Sequence, residues 1–181
     1  MASADPIARK RRRFWGIVAG IVIADAFTKM LAVDLLVPAR LPRAVLGDAL
    51  RLTLVYNRGA AFGLDLGENS RWIFTGLTLG ALVLLAHLYR TTRAGATPRT
   101  IALALVCGGA LGNLMDRLKS ARGVVDFIDV GIGTLRWPTF NVADMAVSCG
   151  AVLLAIVLWR EDARHAARAA AASGQDAPVH G

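Results

Sequence analysis

Two cysteines and three histidines are all that this chain of 181 residues offers for thiol chemistry. Cys107 and Cys149 both lie within apolar runs, and no histidine stands at a matching depth. His87 is near the far end of its run, while His165 and His180 belong to a polar tail. A cysteine–histidine nucleophile is thereby excluded. A disulfide framework does not fit two cysteines at lipid depth, and both are expected to be small buried residues in helix packing. Serines near lysines are equally unsupported: Ser120 adjoins Lys119 and Ser148 lies one turn beyond Asp144, without further context for a serine–lysine site. Acids are in deficit, 13 Asp and Glu against 21 Lys and Arg, for a net charge of +8. That excess first suggests nucleic acid, but the arginines flank apolar runs and do not interleave with aromatics. Anionic lipid headgroups explain the pattern better, and nucleic acid is not an expected partner.

What the chain has in quantity is apolar residues, 55% of the total, with a mean hydropathy of +0.50. A soluble domain of this length rarely reaches that composition. Four runs, about 14–33, 72–89, 100–118 and 141–159, are long enough for a hydrocarbon core of roughly 30 Å, which needs about 20 helical residues. Each must be helical, because backbone groups in lipid have to be satisfied within the segment. The expected fold class is an all-α membrane protein, a four-transmembrane-helix bundle with a small extracytoplasmic β element. Residues 1–13 form a basic cytoplasmic N-terminus, residues 14–159 the four-span domain, and residues 160–181 a polar cytoplasmic tail, a frayed helix followed by disorder. The orientation rests on the dense cluster Arg9, Lys10, Arg11, Arg12 and Arg13. The first run also resembles a secretory signal peptide ending near Ala24-Asp25-Ala26, but apolar sequence continues past that point. Alternation in residues 50–55 and the pattern of residues 124–137 predict extended structure at the membrane surface. Small-residue spacings at Gly16/Gly20, Gly76/Gly80 and Gly108/Gly112 predict close helix approach.

Charge is missing from the inner halves of the spans and gathers at their outer ends. By default, a charged residue inside a span marks a functional site. The first span holds Asp25 and Lys29, the third ends in Asn113, Asp116 and Arg117, and the fourth opens with Asn141 and Asp144. Asp126 follows the third span. Each has an ordinary structural explanation as well. Asp25 and Lys29 suit an i,i+4 ion pair, Asn141 an N-cap with Asp144 in the first turn, and Arg117 a snorkelling headgroup contact. Asp34 and Asp129 read as surface acids. A carrier would usually place its acids near the midplane, with repeats or broken helices, which this chain lacks. Two carboxylates at one level cannot both ionise cheaply and share a proton, which suits activation of water without a metal or a covalent intermediate. Asp126 and Asp144 can face each other across a groove. From the residues alone, Asp116 is an equal candidate.

Five blocks in order sharpen this. They are Asp25-Ala-Phe-Thr-Lys29, Asn57-Arg-Gly-Ala-Ala-Phe-Gly63, Gly108-Gly-Ala-Leu-Gly-Asn-Leu-Met-Asp-Arg117, Gly123-Val-Val-Asp-Phe127 and Phe140-Asn-Val-Ala-Asp144. Together the chain resembles the lipoprotein signal peptidases, also called type II signal peptidases, from Phe14 to Trp159. The resemblance implies an aspartic endopeptidase of the bacterial inner membrane with Asp126 and Asp144 as its dyad, leaving Asp116 structural. It implies site-shaping or substrate-holding roles for Asp25, Lys29, Asn57, Gly59, Asn113, Asp116, Arg117, Asn141 and Ala143. No cofactor or metal is implied. The implied substrate is a prolipoprotein whose cysteine carries diacylglycerol, cut just before that cysteine by a monomer in contact with membrane lipid. Inhibition by globomycin is implied too. Phe62 is expected to pack against the site and the lipidated substrate.

Overall fold

The computed structural model describes residues 5–59 and 67–175, with side chains to Arg168. Phe62 lies outside the described residues, as does the chain beyond Gln175. Four helices carry the architecture: α1 (Pro6–Leu35), α2 (Ser70–Thr91), α3 (Thr97–Lys119) and α4 (Val142–Gln175). All four are long and apolar enough to cross a membrane. Two of them outrun the expected spans. α1 begins among the arginines, because Asp5 accepts a hydrogen bond from Ile7 N–H at 3.0 Å and Pro6 takes the first helical position. α4 runs on into its alanine- and arginine-rich tail, whose residues favour helix without needing lipid. Hydropathy marks the lipid-buried stretch, whereas capping and propensity set where the helix stops.

α3 is the central helix and packs against α1, α2 and α4. Its Ala102, Leu103 and Ala104 are fully buried. Phe14 and Val18 of α1 and Leu85 of α2 join Leu103 and Ala104 in one apolar core. Small residues let α3 and α4 close up. A Cβ on Gly109 would meet Val147 Cγ2 at 2.7 Å, and one on Gly150 would meet Val106 Cγ2 at 2.7 Å. Of the three expected glycine pairs, only Gly108/Gly112 lies in a tight contact. Gly16, Gly20, Gly76 and Gly80 have open space beside them. Those glycines sit on the periphery among exposed Trp15, Trp72, Leu77, Val83 and other large apolar side chains. Large apolar side chains turned outward, with the charged side chains Asp25, Lys29 and Arg117 buried inside, suit a multi-pass membrane protein. Cys149 is a correction of the same kind: it is exposed rather than packed inside, while Cys107 is partly buried, and both are free thiols.

The extended segments form one antiparallel sheet, ordered β1 (Arg43–Leu46), β2 (Leu50–Asn57), β3 (Val124–Ile132) and β4 (Leu135–Arg136). β1 is an addition to the sequence reading, since four residues carry too little periodicity to be read. Register matters most between β2 and β3, where Asn57 stands opposite Val124 and Val55 opposite Asp126. Gly123 permits this start. Its φ is 95°, and a Cβ there would fall 2.6 Å from the Asn57 carbonyl carbon. A second core of Ala32, Leu36, Leu54 and Phe127 fastens the end of α1 to the sheet. Asp34 is exposed as expected, but Asp129 is not a surface acid. It is buried on β3, accepts from Thr53 Oγ1 at 3.0 Å, and pairs with Arg136 Nε at 2.5 Å and Arg51 Nε at 3.3 Å. Burial pushes its pKa up, but the bonds from Arg136 and Thr53 and the charges of Arg136 and Arg51 outweigh that and hold it below its ordinary value.

Candidate active site

Asn141 organises the polar cluster. It precedes α4, is fully buried, and forms a reciprocal cap with Asp144 three residues on. Asn141 Oδ1 accepts from Asp144 N–H at 2.9 Å, and Asp144 Oδ2 accepts from Asn141 N–H at 3.2 Å. The Asn141 amide also donates across the sheet to Asp126 Oδ1 at 2.7 Å. One residue therefore holds both carboxylates, one by its backbone and the other by its side chain. The same amide approaches Asn113 Oδ1 at 3.1 Å and Val125 O at 3.2 Å, which ties α3, β3 and α4 together.

Asp126 is buried on β3 and accepts a second bond from Asn57 Nδ2 at 3.2 Å. Asn57 in turn accepts from Gly59 N–H at 3.0 Å, so a local turn fixes its amide. Burial first, and then the charge of Asp144, push the Asp126 pKa up to about 7, against the opposing pull of Asn57, Asn141 and Lys29. Asp144 is less buried and accepts at its other oxygen from Asn113 Nδ2 at 2.8 Å. Both carboxylates line a cavity of about 1130 Å³ bounded by the ends of α3, α4, β2 and β3. The arrangement presents one deeply buried acid of raised pKa and one less buried carboxylate to a common space.

A second layer sits behind them. Lys29 Nζ uses all three of its donors: Asp25 Oδ2 at 2.7 Å, Asp116 Oδ2 at 2.8 Å and Asn113 Oδ1 at 2.9 Å. Asp25 spends its other oxygen on Ala143 N–H at 2.9 Å, a donor that the first turn of α4 leaves unpaired. Asp116 also accepts from Val125 N–H at 3.2 Å and so anchors β3 beside Asp126. Asp25, Lys29 and Asp116 are thus brought together, but they lie between α1 and α3 and do not line the cavity. Ala143 is fully buried between Gly109 and Gly112.

Arg117 is buried instead of snorkelling outward. It lines the cavity, donates to Gly59 O at 3.1 Å, and lies 5.9 Å from the centre of the Phe74 ring. It makes no ion pair with Asp126 or Asp144. Two contributors were not expected at the site: Gly112 was read only as a helix-packing residue, and Arg71 was given no role. A Cβ on Gly112 would lie 2.6 Å from Asp25 Oδ2 and 3.2 Å from Ala143 Cβ, so this glycine admits Asp25 to the cap of α4. Arg71 donates to Arg117 O at 2.5 Å and holds the end of α3. The small residues of the block at 108–112 signalled the first; nothing in the sequence signalled the second.

Comparison with known proteins follows the same outline. The family model described as signal peptidase (SPase) II matches residues 17–160. A lipoprotein signal peptidase of Rhodococcus jostii (strain RHA1) is 41% identical over 162 residues, covering 86% of this chain and 77% of that protein. One from Burkholderia thailandensis is 40% identical over 142 residues, covering 77% and 82%. Two solved bacterial membrane enzymes share the fold. One has a TM-score of 0.74 at 28% identity, covering 83% of this chain and 90% of the other. The second has a TM-score of 0.70 at 30% identity, covering 80% and 91%.

Proposed function

The chain belongs to the signal peptidase II family, peptidases of lipoprotein precursors, and from that premise we propose that Asp126 and Asp144 are its catalytic dyad. The bond cut lies just before a cysteine that already carries diacylglycerol. The observation that carries this reading is the single asparagine, Asn141, bonded to both carboxylates at the cavity wall.

The two environments support different roles for the two acids. Asp126, with its pKa near 7, holds the shared proton and directs it at the scissile carbonyl oxygen. Asp144, less buried and on the cavity wall, takes a proton from a water molecule as that water attacks the carbonyl carbon. The new C–O bond gives a tetrahedral diol, with Asp126 supplying the proton on the former carbonyl oxygen. When the C–N bond breaks, Asp144 returns its proton to the leaving amine of the cysteine, and Asp126 recovers its own from the diol. Asn113 and Asn141 hold Asp144 throughout, and Asn57 and Asn141 hold Asp126.

The setting follows from charge and lipid. The basic residues Arg9 to Arg13 keep the N-terminus in the cytoplasm of a bacterial inner-membrane protein, and the four spans among the described residues return the end of α4 to the same side. The dyad then lies near the outer face, where a cysteine anchored by two acyl chains presents its peptide bond. The acyl chains lie along the apolar helices, and one monomer contains the whole site.

Cleavage of a diacylglyceryl-modified lipobox peptide by wild type, Asp126→Asn and Asp144→Asn tests this. Each substitution keeps size and removes the acid. Wild type should cut, and both variants should lose on the order of 10²–10⁴-fold in kcat while remaining folded. A near-normal rate in either variant would remove that residue from the dyad.

A further inference from the structure

Charge around the cavity is unbalanced. Four arginines line it, Arg40, Arg58, Arg117 and Arg122, against the two aspartates of the site. Arg117 is occupied by Gly59 O. The other three have exposed side chains and no carboxylate partner among the described residues. The far end of the same sheet differs. There Arg51 and Arg136 both pair with Asp48 and Asp129. The cavity end of the sheet thus gathers three cations without carboxylate partners, whereas Arg43 on β1, also without one, lies outside the cavity and donates to Val37 O at 2.9 Å.

Their placement is fixed by the fold. Arg40 stands between α1 and β1 and is tied by its own N–H to Leu54 O at 2.9 Å. Arg58 follows the last residue of β2. Arg122, between α3 and β3, stacks its guanidinium 4.3 Å from the centre of the Tyr56 ring. All three come from connections outside the helices, on the side of the bundle where the sheet stands.

We propose that Arg40, Arg58 and Arg122 form a specificity rim that recognises carboxylate side chains in the first few residues after the lipidated cysteine. This rests on the peptidase reading above. The signal peptide of such a substrate lies in the bilayer, so the mature segment is the part that leaves the site past the sheet. An unpaired cationic rim concentrates acidic chains and favours their capture over neutral or basic ones. Such exposed charges act on capture more than on the chemical step, and salt weakens them.

The test uses diacylglyceryl lipobox peptides that differ only at the second to fourth positions after the cysteine, carrying Asp, Asn or Lys. Wild type and the triple variant Arg40→Gln, Arg58→Gln, Arg122→Gln are compared in neutral-lipid nanodiscs at low and high salt. For wild type, KM for the Asp peptide should lie about two- to fivefold below that for the Asn peptide per engaged acid, with the Lys peptide poorest. The ratio should shrink with salt and approach one in the triple variant, while kcat ratios among peptides stay flat. Equal KM values in wild type, or a preference that survives the triple substitution, would overturn the proposal. So would a triple-variant defect seen only in nanodiscs containing phosphatidylglycerol and indifferent to the peptide, which would make lipid phosphate the occupant. Should the triple variant misfold, the salt-sensitive peptide preference of wild type decides alone. If wild type cuts none of the peptides, the peptidase reading fails, and this inference with it.

Discussion

Replacing Asp126 by asparagine should kill the enzyme and, above neutral pH, stabilise it. The carboxyl is 2% exposed, and its pKa lies near 7 against an ordinary 3.8. At about 1.36 kcal/mol per pH unit, that gap corresponds to about 4 kcal/mol between the two protonation states. The sign follows from proton counting. Between about pH 4 and about pH 7 the folded chain holds a proton at this site that the unfolded chain has released, so stability falls as pH rises through that window and levels off above it. Asparagine carries no charge to bury, but it can accept only one of the two bonds that Asn57 and Asn141 now donate, a loss of about 1 kcal/mol. At about pH 8 the variant should therefore be more stable than wild type by about 2–3 kcal/mol. At about pH 5, where less than half of the penalty has developed, the two should be nearly equal. Thermal unfolding in detergent at both values measures this, and at about 2–4 °C per kcal/mol for a chain of this size the midpoint difference should open to several degrees only at the higher pH. Parallel pH profiles for the two proteins would refute the reasoning, because the folded chain would then hold this carboxyl at its ordinary pKa.

Other substitutions probe the supporting layer. Lys29→Met leaves the carboxylates of Asp25 and Asp116 without their cation and should cost about 3–5 kcal/mol in chemical or thermal unfolding, more than Asp116→Asn, whose partner keeps Asp25. Asn141→Ala removes the cap of α4 and the bond to Asp126 together; a stability loss of about 1–2 kcal/mol should accompany a disproportionate fall in kcat. Gly112→Ala pushes a methyl group into Asp25 and Ala143 and should cost about 1–3 kcal/mol along with activity, whereas Gly20→Ala meets nothing and should be neutral in both. In kcat/KM against pH, the alkaline limb should fall near pH 7 as Asp126 loses its proton in the free enzyme, and a limb more than about two units away would argue against Asp126 as the proton holder.

The gathering of polar residues at one end of the bundle was legible in the sequence where chemistry and depth coincide. Asp25, Lys29, Asn113, Asp116, Asn141 and Asp144 carry polar groups at one level of helices that are otherwise apolar, and that alone draws them together. Asp126 was harder, because it follows a span and resembles any surface acid; its burial comes from pairing of β3 with β2 and from the asparagines of two other elements. Asp129 was misread for the same reason, since only the fold sets Arg51, Arg136 and Thr53 around it. Cys149 was misread because an apolar neighbourhood in sequence does not tell the bundle's interior from its outer face.

What the sequence determined by itself is the number of helices, their apolar length and the end of the bundle at which the polar groups collect, since lipid leaves few alternatives for a backbone. What only the tertiary structure decided is partnership. Asp25 reaches Ala143 because Gly112 leaves room for it, and Lys29 divides itself among three acceptors from two helices. Asn141 meets Asp126 because the sheet carries that acid back over the mouth of the bundle. Apolar burial is written residue by residue along the chain, but hydrogen-bond geometry between distant segments exists only once they are packed.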